Sequence, residues 1–318
     1  ENNCATAAFS PARASFLKFI AAQAAVAVEN AKLYGELNRA TESLRRTNET
    51  LEAQVQERTA ELRRALSELW SEMDLAKKIQ TVLLPETKRV GRYEVAAAMI
   101  AADSVGGDYY DVVEAGDRDW ILIGDVSGHG VTAGLIMMMI QTAVRTIVLN
   151  ARQRGEELSP SLVLSRANTA VRGNLQRISD GQYMTITALE LSGDRIRYSG
   201  LHQDILVHRA ANDTVQRIAT HGVWLGLVDD ISELLENDTI ELQEGDTILL
   251  YTDGITEMML GERRLGTAGL TSRFHALASR SSDPKAIVDS LLEEIGGRAD
   301  SDDVTLMALR YAPPGAAE

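Results

Sequence analysis

Cysteine is almost absent from this chain of 318 residues: Cys4 is the only one. No intrachain disulfide can form, which favours a reducing compartment. Proline is scarce as well, with six. None falls between Pro11 and Pro85, and that interval holds a single glycine, Gly35. Basic residues are outnumbered, 32 Lys and Arg against 46 Asp and Glu, for a net charge of −14. That balance argues against nucleic acid and against an anionic membrane as main partners. Long apolar runs are missing too. The longest, Gly134 to Ile140 with its flanks, is interrupted by Gln141 and Arg145, so no membrane span is expected, and no signal peptide is visible. These deficits lead to the expectation of a soluble, cytoplasmic chain with one domain of roughly 200–250 residues plus an extension.

What is present begins with helix. The Pro11–Leu84 stretch is rich in Ala, Glu, Arg and Leu, the composition of one long helix. Leu37, Leu44 and Leu51 recur every seven residues, and Val55, Leu62, Leu69, Ala76 and Leu83 form a second such row, with Leu66 and Met73 on its side. The rows are offset by four residues between Leu51 and Val55, the spacing of a coiled-coil stutter. Asn48 and Arg58 fall near the seam, where they weaken it locally and fix register. A helix folded back on its own domain would also satisfy this composition. Heptads sustained this far favour a parallel homodimeric coil.

Four short acidic motifs follow: Gly106-Gly107-Asp108, Gly124-Asp125-Val126-Ser127-Gly128-His129-Gly130, Tyr251-Thr252-Asp253-Gly254 and Asp302-Asp303-Val304-Thr305. Each places an aspartate at the end of a strand-like run, and three have glycine beside it. Any one alone reads as a turn, since Asp-Gly is a common turn signal. Four together describe carboxylates on rigid backbone, which cannot converge without a compensating cation. Hard oxygen donors with few histidines and no nearby cysteine favour Mg²⁺ or Mn²⁺ over zinc.

Around these motifs the pattern predicts strands at Tyr93–Ala101, Tyr109–Val113, Trp120–Asp125, Tyr183–Leu191, Arg195–Ser199, Ile205–His208, Val215–Ile218, Thr239–Leu242, Thr247–Tyr251 and Val304–Tyr311. Helices are expected at Val131–Ala151, Ser161–Arg177, Thr267–Ala278 and Pro284–Ile295, and a short linker at Lys88–Tyr93. Meandering strands with paired helices inserted fit an α+β sandwich better than a parallel sheet.

The residues from about Leu75 to Tyr311 resemble the PPM superfamily of metal-dependent protein phosphatases, in its SpoIIE/RsbU branch. The resemblance is carried by Ala76-x-x-Ile79-Gln80-x-x-Leu83-Leu84-Pro85, Gly106-Gly107-Asp108-Tyr109-Tyr110-Asp111 and the three later acidic motifs in order, with weaker echoes at Asn168, Thr185, Leu225-Gly226-Leu227 and Leu265-Gly266. It implies an α+β fold, a β-sandwich of two antiparallel sheets flanked by helices, behind a long N-terminal coiled-coil helix. It also implies two divalent cations, Mn²⁺ or Mg²⁺. By the resemblance Asp125 bridges both, with the Val126 carbonyl as a neighbouring ligand, Asp108 serves one ion, and Asp253 and Asp302 serve the other. Asp303, Asp111, His129 and Glu257 are candidates for supporting contacts around them. The substrate implied is phosphoserine or phosphothreonine on a STAS-type anti-sigma-factor antagonist. The arginine that grips phosphate in the wider superfamily has no evident counterpart, Arg92 being the nearest candidate.

The alanine-rich helix from Phe16 to Tyr34 resembles the closing helix of GAF sensory domains. The expected organisation is therefore a GAF-like remnant over 1–34, a coiled-coil linker over 35–85, a phosphatase domain over 86–312 and a disordered tail over 313–318. Two other classes compete. A dimeric pseudophosphatase scaffold has no need of all these aspartates, and a nucleotide cyclase would require Glu-Phe where Tyr109-Tyr110 stands.

Overall fold

The computed structural model describes residues 10–85, 89–116, 118–178, 181–296 and 302–312. The first nine residues of the expected GAF-like remnant and the tail over 313–318 lie outside the described residues. The chain divides into two compact units, one ending at Trp70 and the other beginning at Ser71.

The first unit is helix. α1 runs Pro11–Leu83 without a break, as a stretch lacking proline and nearly lacking glycine dictates. Its heptad residues Leu37, Leu44, Leu51, Val55 and Leu62 are all exposed in the single chain. The last turns of α1, from Ser71 on, belong with the second unit, ahead of the boundary expected at residue 86.

The second unit continues with β1 (Arg89–Val90), β2 (Tyr93–Ile100), β3 (Asp108–Val113), β4 (Asp119–Val126), α2 (Val131–Arg154) and α3 (Pro160–Ile178). Next come β5 (Met184–Ser192), β6 (Arg195–Ser199), β7 (Ile205–Arg209), β8 (Thr214–Ile218), β9 (Asp238–Glu241) and β10 (Thr247–Tyr251). A short helix α4 (Asp253–Glu257), a hairpin of β11 (Met259–Leu260) and β12 (Arg263–Arg264), helices α5 (Gly266–Ala278) and α6 (Pro284–Glu294), and β13 (Val304–Tyr311) complete it. The sheets run β1-β2-β13-β10-β7-β8 and β3-β4-β5-β6-β9. Every pairing between named strands is antiparallel.

Strand parity builds three cores. On β4, Trp120, Leu122 and Val126 face α2 and α3, whereas Ile121 and Ile123 face the other sheet. β13 divides in the same way, with Met307 and Leu309 between the sheets and Leu306 and Ala308 toward α5 and α6. The result is helices, sheet, sheet, helices, the sandwich expected from the sequence.

Local signals behave as their chemistry requires. Asp283 caps α6 by accepting from the Lys285 N–H at 2.9 Å, with Pro284 in the first turn. α2 outlasts its expected end at Ala151 and stops at Gly155, which takes the left-handed conformation (φ 64°). Contrary to the reading of its run as too interrupted, α2 is long and apolar enough to cross a membrane by length and composition. Here it buries Ile136, Met137, Ile140 and Val144 against the five-stranded sheet. Four short elements escaped the sequence pattern. β1 replaces the expected linker, α4 replaces a turn, and β11–β12 form a separate hairpin. Two to five residues are too few for a period to declare itself.

Candidate functional site

Asp108 and Asp125 are directly opposed across β3 and β4. Both share strand parity with the intersheet residues Tyr110, Val112, Ile121 and Ile123, so both lie on the face between the sheets. The other sheet supplies what meets them. Thr252, at the end of β10, and Thr305, on β13, each donate a hydroxyl to Asp108 Oδ2, at 2.8 and 2.6 Å. Thr252 stands at the N-cap of α4 yet makes no capping bond; its hydroxyl serves Asp108 instead. Asp253 then opens α4, and Asp302 lies two residues before β13, the neighbour of β10.

The carboxylates sense one another. Burial and then Asp125 push the Asp108 pKa well above the ordinary carboxylate value, against the two threonine hydroxyls. Asp125 is raised to about 8 by burial, followed by Asp253, Asp302 and Asp303. Asp253 is raised by burial and secondarily by Glu257, and Asp302 by burial with help from Asp253, Asp303 and Glu257. The structure thus brings Asp108, Asp125, Asp253, Asp302 and Asp303 into one electrostatic group, with Glu257 at its margin. The group is open in geometry. Among the described residues, the one set of three metal-ligand side chains whose donor atoms all lie within 4.8 Å of one another is His208, Asp213 and His275. The acidic group is therefore spread wider than a single dehydrated ion requires, which suits cations that keep part of their water.

Asp302 and Asp303 are separated by their hydrogen bonds. Asp303 is buried and uses both oxygens on backbone, accepting from Gly107 N–H at 2.6 Å and Ala102 N–H at 2.9 Å. Asp302 is only partly buried, and its Oδ1 accepts from the Asp303 N–H at 2.9 Å. Asp303 is thus committed to holding the Gly106-Gly107 loop, and Asp302 keeps a spare oxygen. The glycines are explained by the same residue: a Cβ on Gly106 would strike the Asp303 carboxylate, and one on Gly254 its carbonyl.

The other candidates lie around or away from this group. The Val126 N–H donates to the Gly107 carbonyl at 3.2 Å, which sets Val126 beside the loop that precedes Asp108. Glu257 pairs with Arg264 of the β12 hairpin at 3.1 Å. His129 is exposed and pairs with Asp103 through Nδ1 at 3.2 Å. Asp111 has the opposite parity from Asp108 and faces α2, where Arg145 meets it at 2.6 Å. Burial, opposed by Arg145, brings its pKa up to about 6. Arg92 occupies the β1–β2 turn. That is the end of β2 that pairs with Tyr311, whereas Val304 pairs with Ile100 at the other. The eight residues of β2 put about 25 Å between them.

Two supporting residues went unassigned from sequence. Gln80, near the end of α1, is buried and grips the Gly106 backbone from both sides, donating to its carbonyl at 2.9 Å and accepting from its N–H at 3.1 Å. The Leu83 carbonyl accepts from Gln141 of α2 at 2.9 Å, so two contacts anchor this turn. Gln80 lay inside a recognised motif, but its partner could not be read from a helix pattern. His202 spans the sheets: Nδ1 is 2.8 Å from Thr185 Oγ1 and Nε2 is 3.1 Å from the Tyr251 carbonyl. Desolvation lowers its pKa to about 4, so the ring is neutral near pH 7. Nε2–H donates to the Tyr251 carbonyl, which leaves Nδ1 to accept from Thr185, the β5 residue opposite Asp125. A histidine after Gly200 at a strand end was its only trace in sequence. The fainter echoes also join: Asn168 accepts from the Gly226 N–H at 2.8 Å and donates to the Val228 and Asp229 carbonyls, both at 3.0 Å.

Comparison with known proteins agrees with this fold. The sequence profile described as Stage II sporulation protein E (SpoIIE) matches residues 115–312. Phosphoserine phosphatase RsbU of Bacillus subtilis (strain 168) is 27% identical over 255 residues, covering 78% of this chain and 72% of that protein. The SiaA-PP2C domain of Pseudomonas aeruginosa superposes with a TM-score of 0.65 at 22% identity, over 78% of this chain and 98% of that one. The RsbU and RsbW domains of Rv1364c from Mycobacterium tuberculosis superpose with a TM-score of 0.56 at 26% identity, over 71% of this chain and 61% of that one. With its sandwich and its aspartate-lined end, the chain belongs to the SpoIIE family of PP2C-type protein serine/threonine phosphatases.

Proposed function

We propose that Asp108, Asp125, Asp253 and Asp302, with the Val126 carbonyl, hold two divalent cations, Mn²⁺ or Mg²⁺, and that the site hydrolyses phosphoserine or phosphothreonine on a STAS-type regulatory protein. The observation that carries the reading is the opposition of the buried Asp108 and the partly buried Asp125. Burial and other carboxylates raise the pKa of each, and no lysine or arginine is among the leading influences that lower it. Such a group fits hard cations, because only positive charge relieves it and its donors are oxygens. Bound cations would supply an acidified water and neutralise the phosphoryl oxygens. The protein's own part is positional. Thr252 and Thr305 aim Asp108, Asp303 and Gln80 fix the loop before it, and His202 locks Thr185 and Tyr251 beside Asp125 and Asp253.

The coil belongs to the same reading. The exposed leucine rows of α1 support a parallel homodimer, and the grip of Gln80 on Gly106 gives the helix a handle on the site. The decisive experiment follows Mn²⁺-dependent turnover of p-nitrophenyl phosphate and of a phosphoserine STAS protein, for wild type and Asp253→Asn. Turnover abolished by EDTA and lowered about 100-fold or more by the substitution establishes the site. Metal binding without turnover in the wild type shows an inactive conformer. Neither binding nor turnover returns the chain to the scaffold class.

A further inference from the structure

We propose a second metal site, of zinc type, formed by His208, Asp213 and His275 where the β7–β8 hairpin meets α5. His208 lies on β7, Asp213 in the turn that leads into β8, and His275 on α5. Their donor atoms all fall within 4.8 Å of one another. His208 Nε2 is 2.9 Å and His275 Nε2 3.5 Å from Asp213 Oδ1. These two edges bracket the roughly 3.3 Å edge of a tetrahedron with bonds of about 2.0 Å, the zinc–imidazole and zinc–carboxylate length. Ser279 Oγ also lies 2.6 Å from the same Asp213 oxygen.

Three features single this cluster out. The donor set is two imidazoles and one carboxylate, softer than the oxygen group at the other site, so the two select different ions. Asp213 is the one non-glycine residue with positive φ (51°) among those described, a conformation that holds its carboxylate between the rings. His208 is 5% exposed, and its Nδ1 has no hydrogen-bond partner. Metal on Nε2 shifts the proton to that nitrogen, which faces no acceptor. A histidine lacking such support loses about 10–100-fold in metal affinity. The site is therefore weaker than one whose histidines are all supported.

Its place makes it a clip. His208 pairs with Thr247 at the start of β10, the far end of that strand from Asp253. A bound ion would join the edge hairpin of the six-stranded sheet to α5 without touching the acidic group.

The test titrates ZnCl₂ into the metal-stripped full chain held in excess Mg²⁺, by calorimetry and thermal melting, for wild type, His275→Ala and Asp213→Asn. His275 is partly exposed, and asparagine tolerates the Asp213 backbone, so both variants fold. The expected result is one equivalent of zinc with micromolar Kd and a Tm rise of about 5–10 °C at a hundredfold excess over Kd. Both variants lose binding at least tenfold, and Co²⁺ in the wild type gives the visible absorption of a tetrahedral site. No zinc binding above Mg²⁺ overturns the proposal. So does binding unchanged in both variants, or binding lost in Asp253→Asn instead.

Discussion

The Asp108 carboxylate lies between two threonine hydroxyls and opposite a second carboxylate, so its charge depends on what neutralises it. The sign of the pH effect follows. Asp125, raised to about 8, binds more protons folded than unfolded, and Asp111, at about 6, does the same. In chelated protein, stability is highest below the unfolded carboxylate pKa and falls as pH rises through about 6 and then about 8. Divalent cation removes the Asp125 part of that loss. Melting at pH 5, 7 and 8.5, with EDTA and with Mn²⁺, is expected to show a gap in Tm that widens with pH; a constant gap contradicts the coupling. A second residue-scale expectation concerns His202. His202→Ala removes the bridge between Thr185 and Tyr251 and is expected to lower kcat about 10–100-fold with little change in KM. His202→Gln, able to accept and donate, restores part of it. Equal loss of kcat in both variants would show a packing role alone.

At the scale of elements, the joint between α1 and the β3 loop stands out. Gln80 satisfies both backbone groups of Gly106, and truncation leaves a buried N–H and C=O unpaired. Gln80→Ala is expected to destabilise the catalytic unit by about 1–3 kcal/mol in urea melts. It is also expected to lower turnover by more than the unfolded fraction explains. Activity equal to wild type at full folding would separate α1 from the site. The β10–α4 junction makes a sterner prediction. Gly254→Ala drives a methyl into the Asp303 carbonyl, on rigid backbone, and is expected to cost more than about 3 kcal/mol or to prevent folding. Ordinary stability in that variant would mean that β13 shifts freely relative to α4.

For the molecule as a whole, α1 leaves Leu44 and Leu51 exposed, and a helix this long gains little from propensity alone. Leu44→Lys with Leu51→Lys is expected to convert a dimer to monomers by light scattering, while residues 71–318 keep their melting transition. A wild-type monomer at micromolar concentration would remove the coil. Inserting residues after Leu51 tests whether register reaches the site, and unchanged activity in a still-dimeric chain ends that idea. The long helix, most strands and the acidic motifs were legible in sequence because period, breakers and glycine-flanked aspartates are local signals. They determined the sandwich, its four flanking helices and the aspartates that line one end. Other features were set only when separate elements paired and packed. The pairing of β3 with β4 put Asp108 against Asp125, and strand parity turned Asp111 away toward Arg145. The backbone bonds of Asp303 left Asp302 with the spare oxygen. Gln80 and His202 found partners on other elements, and the β7–β8 turn brought His208 to His275. Each of these depends on groups far apart in the chain, and their distances exist only once the hydrophobic layers have fixed the strands in register.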